Sequence, residues 1–155
     1  MNRRPSNINV GWRTACQCSM KKRIVGGTIT VALVEDDPGV RANLANMIDG
    51  APGFHCQAAY ADGPAALKDI PTNRPDVVLM DINLPGIDGI ETTRRIRALE
   101  TGVRVPIIAI TSYALAGDRE RFLAAGCNGY VEKPIDPMTL VEDLHRIMKK
   151  GEVKP

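Results

Sequence analysis

Apolar and polar positions alternate along this chain on two length scales. From residue 29 onward, short apolar runs recur over residues 29–35, 54–60, 76–81, 105–111 and 129–132, and they begin 22 to 29 residues apart. An interval of that size holds one strand, one crossover helix and two loops, which is the βαβ unit. The first, third and fourth runs, ITVALV, DVVLM and VPIIAI, are continuously apolar along most of their length. Strands covered by helices on both faces have that character.

Amphipathic stretches fill the intervals, and their starts carry helix signals. Asp37-Pro38 sets an N-cap residue before proline at the first helical position. Asp62 and Asp88 stand at the corresponding place before the next two stretches, Asp118 falls in the first turn of the fourth, and Asp136-Pro137 opens the fifth. Gly126 closes the fourth with the residue that best tolerates a left-handed cap. Five strands alternating with five helices predict an α/β fold: a doubly wound, five-stranded parallel sheet with helices on both faces. At this size the flavodoxin-like strand order 2-1-3-4-5 is expected, with ligands bound beyond the carboxyl ends of the strands.

On that frame the polar residues converge. Glu35, Asp36 and Asp37 leave the end of the first strand, Asp81 ends the third, Thr111 ends the fourth, and Lys133 follows the fifth. Asp81 then has acids on one side and a hydroxyl on the other. Lys133 starts two strands away, roughly 10 Å at normal strand spacing, a gap its side chain and loop can largely cover. Carboxylates this close repel one another unless a cation offsets them. A hard divalent ion fits, and Mg²⁺ suits best because it combines a few carboxylates with water and phosphate oxygens. Asp81 is a carboxylate of the kind that forms aspartyl phosphates. Lys133, the metal and the Thr111 hydroxyl would offset or bond the phosphoryl oxygens. Asp37 reads as the helix cap and stays outside the ligand set.

Composition narrows the function classes. The 155 residues are one domain's worth. Residues 1–27 hold six Lys/Arg and no acid, which leaves 14 basic against 18 acidic residues from Thr28 onward, a net charge of −4. An acidic body argues against nonspecific nucleic-acid binding. Residues 1–27 read as a disordered basic leader, 28–150 as the folded domain and 151–155 as a tail. Cys16, Cys18, Cys56 and Cys127 make neither a disulfide framework nor a convincing metal cluster. No apolar run approaches the ~20 residues of a membrane span, and the leader lacks a signal peptide's apolar core, so a cytoplasmic location is expected. His55 and His145 are isolated and read as core or solvated histidines.

The blocks Glu35-Asp36, Asp81-Ile82-Asn83-Leu84-Pro85-Gly86, Ala109-Ile110-Thr111-Ser112 and Tyr130-Val131-Glu132-Lys133-Pro134 resemble the signature of response-regulator receiver domains, the CheY-like family, from about residue 29 to 150. The resemblance implies that Asp81 is the phosphoacceptor and Asp36 a direct metal ligand. It makes Glu35 an acid acting on the metal through water, and Asn83 a ligand through its backbone carbonyl. Thr111 and Tyr130 resemble the family's switch pair, Lys133 its phosphate-contacting lysine, and a cis Lys133-Pro134 bond is implied. Glu35 stands where many members carry Asp. Tyr113, two residues past Thr111, falls where members vary and tune phosphoryl lifetime, as does Asn83.

By that resemblance a sensor histidine kinase or a histidine phosphotransfer protein donates the phosphoryl group. The surface of the fourth helix, fifth strand and fifth helix then controls a downstream protein partner or brings about a homodimer. The chain ends soon after the last helix pattern, so it reads as a stand-alone regulator whose output is a protein contact rather than an enzymatic or DNA-binding domain. A haloacid-dehalogenase-like phosphatase is the main rival, but it needs a second acid where Asn83 stands. A dinucleotide-binding protein lacks its Gly-x-Gly-x-x-Gly after the first strand. A module that works without phosphorylation has no need of the full acid, Thr and Lys set.

Overall fold

The computed structural model describes residues 27–100 and 104–151. Residues 1–26 and 152–155 are outside the described residues, and with them nearly all of the expected leader and the tail. The elements run β1 (Ile29–Val34), α1 (Pro38–Gly50), β2 (Phe54–Tyr60), α2 (Gly63–Asn73), β3 (Val77–Asp81), α3 (Gly89–Leu99), β4 (Ile107–Thr111), α4 (Asp118–Ala125), β5 (Gly129–Glu132) and α5 (Pro137–Gly151). The strands form one parallel sheet in the order β2-β1-β3-β4-β5, as expected.

Alternating strand residues serve opposite faces. Val31, Leu33, Val77, Leu79, Ile108 and Ile110 face Leu44 and Ile48 of α1 and Leu140, Leu144 and Ile147 of α5. Ala32, Val34, Val78, Met80, Ile107 and Ala109 face α2, α3 and α4 through Ala66, Ile70, Ile90, Ile96 and Phe122. Both layers are closed, which is why the central strands needed apolar residues at every position.

The helix starts follow the local chemistry. Asp37, Asp62 and Asp88 each accept a hydrogen bond from the backbone N–H three residues on, with Pro38 at the start of α1. The fourth helix differs: its cap is Gly117, with no side-chain cap bond, and it ends at Gly126 with φ 106°. Strand β4 begins at Ile107 rather than Val105. Pro106 has no N–H for the ladder, and only its carbonyl pairs, accepting from Val78 N.

Candidate functional site

The carboxyl edge of the sheet brings the expected residues together. One oxygen each of Glu35, Asp36 and Asp81 lies within 4.8 Å of the other two. Glu35 is 1% exposed and Asp81 2%, whereas Asp36 is exposed. The parallel register explains the convergence: β1 and β3 pair from Val31 with Val77 to Val34 with Met80, so both strands release their acids at the same height.

Lys133 crosses from β5 to the first strand. Its Nζ donates to Glu35 Oε2 at 2.8 Å and lies 3.6 Å from Asp81 Oδ1. The backbone N–H of Lys133 donates to the Thr111 carbonyl at 2.8 Å, and the Lys133-Pro134 bond is cis, as the motif implied. Burial pushes the Glu35 carboxyl above its ordinary range; the Lys133 bond opposes that shift and the Asp81 charge adds to it. Partial burial works to lower the Lys133 pKa, but the bond it donates to Glu35 and the charges of Asp81 and Glu35 outweigh it and leave it raised. Lys133 is therefore the cation that offsets two buried acids in this state.

Loops and one glycine fix the geometry further. Asn83 N donates weakly to Asp81 Oδ1 at 3.4 Å, and Asp37 N donates to Glu35 Oε1 at 3.2 Å. Gly89, at the start of α3, donates its N–H to the Ile82 carbonyl. A Cβ at Gly89 would come 2.0 Å from the Asp81 carbonyl oxygen. Helix α3 thus seats its first turn directly on the backbone of the central acid, a role the pattern around Asp88-Gly89 signals only as a helix cap.

Thr111 is buried at the end of β4. Its hydroxyl donates to the Tyr113 carbonyl at 2.9 Å and accepts from Tyr113 N at 3.3 Å. The Tyr113 side chain is 77% exposed. Beside Thr111 lies a cavity of about 470 Å³, walled by Asn83, Leu84, Ile90, Tyr113 and Phe122. Tyr130 is half-buried, outside that lining, with its ring 6.0 Å from Phe122 and tilted by 56°.

The histidines and cysteines stand apart from this edge. His55 pairs with Asp49 at 3.0 Å, and His145 packs its ring 5.1 Å from Phe54. Cys56 is partly buried and Cys127 fully so, both as free thiols, and burial pushes both above the ordinary thiol range. Cys16 and Cys18 lie outside the described residues.

The donor set fits Mg²⁺. It consists of hard carboxylate oxygens, two of them on buried acids, and among the described residues this is the one acidic, Cys or His cluster of at least three that could hold a metal.

A family model described as response regulator receiver domain matches residues 31–145. Sensor histidine kinase RcsC of Escherichia coli is 38% identical over 105 residues, 68% of this chain and 11% of that protein. The chain therefore spans about one-tenth of the length of that relative. The polar-differentiation response regulator DivK of Brucella anthropi is 37% identical over 74% of this chain and 92% of its own length. Among solved structures, the receiver domain of sensor histidine kinase PA1611 from Pseudomonas aeruginosa, with magnesium coordinated in its active-site cleft, has a TM-score of 0.69 and 40% identity. It covers 79% of this chain and 99% of that one.

Proposed function

The chain belongs to the response regulator receiver domain family of two-component signalling, and from that premise we propose that Asp81 accepts a phosphoryl group in a Mg²⁺-dependent reaction. The observation that carries the reading is the convergence of Glu35, Asp36 and Asp81 with Lys133 reaching across from β5. Asp36 and Asp81 would hold the ion directly, Asn83 through its backbone carbonyl, and Glu35 through water. Bound there, the ion offsets negative charge on the phosphoryl oxygens.

The residues of the chain divide the remaining work. An Asp81 carboxylate oxygen attacks the phosphorus of a phosphohistidine on a sensor kinase or histidine phosphotransfer protein. The O–P bond forms as the P–N bond breaks, and the imidazole leaves with the electron pair. Lys133 transfers its hydrogen bond from Glu35 to a phosphoryl oxygen, which adds a charge-assisted contact where ~1.5 to 2 negative charges arrive. The Thr111 hydroxyl gives up the Tyr113 carbonyl for the phosphoryl group, and Tyr130 turns toward the cavity beside Phe122. The resulting change on α4, β5 and α5 alters contact with a downstream protein or with a second copy of the chain. Self-catalysed phosphoryl transfer and slow hydrolysis, without turnover on a separate substrate, complete the cycle. A cytoplasmic setting suits these partners.

The test is incubation with acetyl phosphate and Mg²⁺, followed by intact mass and acid-lability measurements. One acid-labile adduct that requires Mg²⁺ is expected; no adduct under these conditions would reject the reading.

Two further outcomes follow from the geometry. Lys133→Ala should still bind beryllofluoride at Asp81, but the amide resonances of β5 and α5 should stay near their unliganded positions, because the link between strand 5 and the phosphoryl group is gone. Wild-type shifts in that variant would exclude Lys133 as the coupler. For Tyr113→Ala, loss of the exposed ring beside Thr111 should admit water and speed phosphoryl loss severalfold, on the order of 1 kcal/mol in the barrier. Equal or slower loss of the adduct counts against a shielding role.

A further inference from the structure

Arg41 lies in the first turns of α1 and makes contacts that the transfer reaction does not use. Its Nη1 donates to the main-chain carbonyl of Glu35 at 2.8 Å and to that of Asp36 at 3.1 Å. These carbonyls belong to the peptide that leaves β1 and carries both flanking acids of the site. Beyond the end of a strand such groups lose their ladder partners, and an unpaired carbonyl next to a buried acid is costly. A guanidinium supplies charge-assisted donors that stay charged at every relevant pH.

The contacts around Arg41 close the loop from several sides. Arg41 N donates to the Asp37 carbonyl at 2.8 Å as α1 begins, and the Asp37 side chain accepts from Val40 N at 2.8 Å. Asp37 N donates to Glu35 Oε1. The Glu35 side chain is thereby aimed inward, where it meets Lys133. Among the described residues no carboxylate lies within ion-pair distance of the Arg41 guanidinium. Its charge is therefore spent on the loop backbone and not on a ligand oxygen.

We propose that Arg41 is a positioning residue for the metal site: it holds the 35–36 peptide so that the carboxylates of Glu35 and Asp36 meet Asp81. The assignment rests on the reading that these acids bind Mg²⁺. Partners that orient ligands govern metal affinity without touching the ion. Loss of Arg41 lets the loop sample orientations in which the Glu35 and Asp36 carboxylates no longer meet Asp81, and binding must then select the competent one.

The experiment is a Mg²⁺ titration of the metal-free protein, followed by amide chemical shifts at Asp36, Asp81 and Asn83, for wild type, Arg41→Ala, Arg41→Gln and Arg41→Lys. Arg41→Ala should weaken Mg²⁺ binding by ~10-fold or more. Arg41→Lys, which keeps a charged donor, should recover most of the loss, and Arg41→Gln, a neutral donor, should fall between. Acetyl phosphate labelling of Arg41→Ala should reach the wild-type rate at saturating Mg²⁺, with the Mg²⁺ midpoint displaced by the same factor. If Arg41→Ala does not fold, the ordering Lys above Gln in affinity carries the test. Wild-type binding of Mg²⁺ with all folded variants within about twofold of it overturns the assignment alone. Absence of Mg²⁺ binding by the wild type overturns the site reading, and this assignment with it.

Discussion

Asp81→Asn should take up no phosphoryl group from acetyl phosphate and Mg²⁺, and without divalent metal it should be at least as stable as the wild type. The first half follows from chemistry, because an amide is not a carboxylate nucleophile and forms no acyl phosphate. The second follows from the electrostatics of the edge. Asp81 and Glu35 are both buried, their oxygens lie within 4.8 Å, and one lysine serves the two, closer to Glu35 than to Asp81. Asparagine removes one repelling charge, leaves the Lys133–Glu35 pair in place and keeps a side-chain oxygen for the Asn83 N–H. The net change in stability should be small or favourable, because the repulsion of Glu35 and Asp36 and the burial of the Asp81 charge are removed together with the attraction of Lys133 at 3.6 Å. Intact mass reads the first half, and thermal unfolding in EDTA the second. An acid-labile adduct on the variant places the acceptor elsewhere, and a clear drop in melting temperature denies that repulsion dominates. Mg²⁺ should also bind the variant more weakly, since one anionic ligand is gone.

Arg97→Ala should cost about 3–5 kcal/mol of stability, the largest loss of any single truncation considered. Arg97 sits on α3 with a side chain 9% exposed, paired with Glu100 at 13%. Its Nη1 contacts both Glu100 oxygens and the Val105 carbonyl, all at 2.9 Å. Nε and Nη2 donate to the Gly126 carbonyl at 2.9 and 2.7 Å, and Nη2 also reaches Asn128 Oδ1. One guanidinium thus ties the end of α3 to the entry of β4 and to the turn between α4 and β5. Truncation leaves a largely buried Glu100 carboxylate without its cation, and several acceptors without a donor.

Arg97→Lys should recover a minority of the loss, since an ammonium cannot reproduce the planar fork. Arg97→Ala combined with Glu100→Ala should be less destabilised than the two single losses added together. Urea unfolding measures the wild type and the four variants, and a loss below about 1 kcal/mol for Arg97→Ala would reduce the cluster to surface chemistry. Arg97 stands at the amino end of β4 and β5, away from Asp81. The folded fraction should therefore still take up phosphoryl from acetyl phosphate.

Much of the fold was legible because its signals are local. An apolar run that needs cover on both faces shows itself over five or six residues, and Asp37, Asp62 and Asp88 mark helix starts through a bond spanning three residues. Limits within elements were less legible where one residue type competes with the pattern, as Pro106 does at the entry of β4. That Glu35, Asp36, Asp81, Thr111 and Lys133 gather at one edge was legible for a related reason. Each is the polar residue that ends or follows an apolar strand, and parallel topology sends all such ends to one edge.

What the amino-acid order determined by itself is therefore the sequence of elements, the edge on which chemistry collects and the residues that stand there. The tertiary structure decided how they are engaged. Lys133 holds Glu35, a partner 98 positions away, and the Thr111 hydroxyl is occupied by the Tyr113 carbonyl. Gly89 is required by the carbonyl of Asp81, Arg41 is turned onto the loop backbone, and Arg97 gathers three segments. Periodicity and capping act over one to four residues, so they carry no record of such pairings. Those depend on strand register and helix packing, which exist only once the chain has closed on itself.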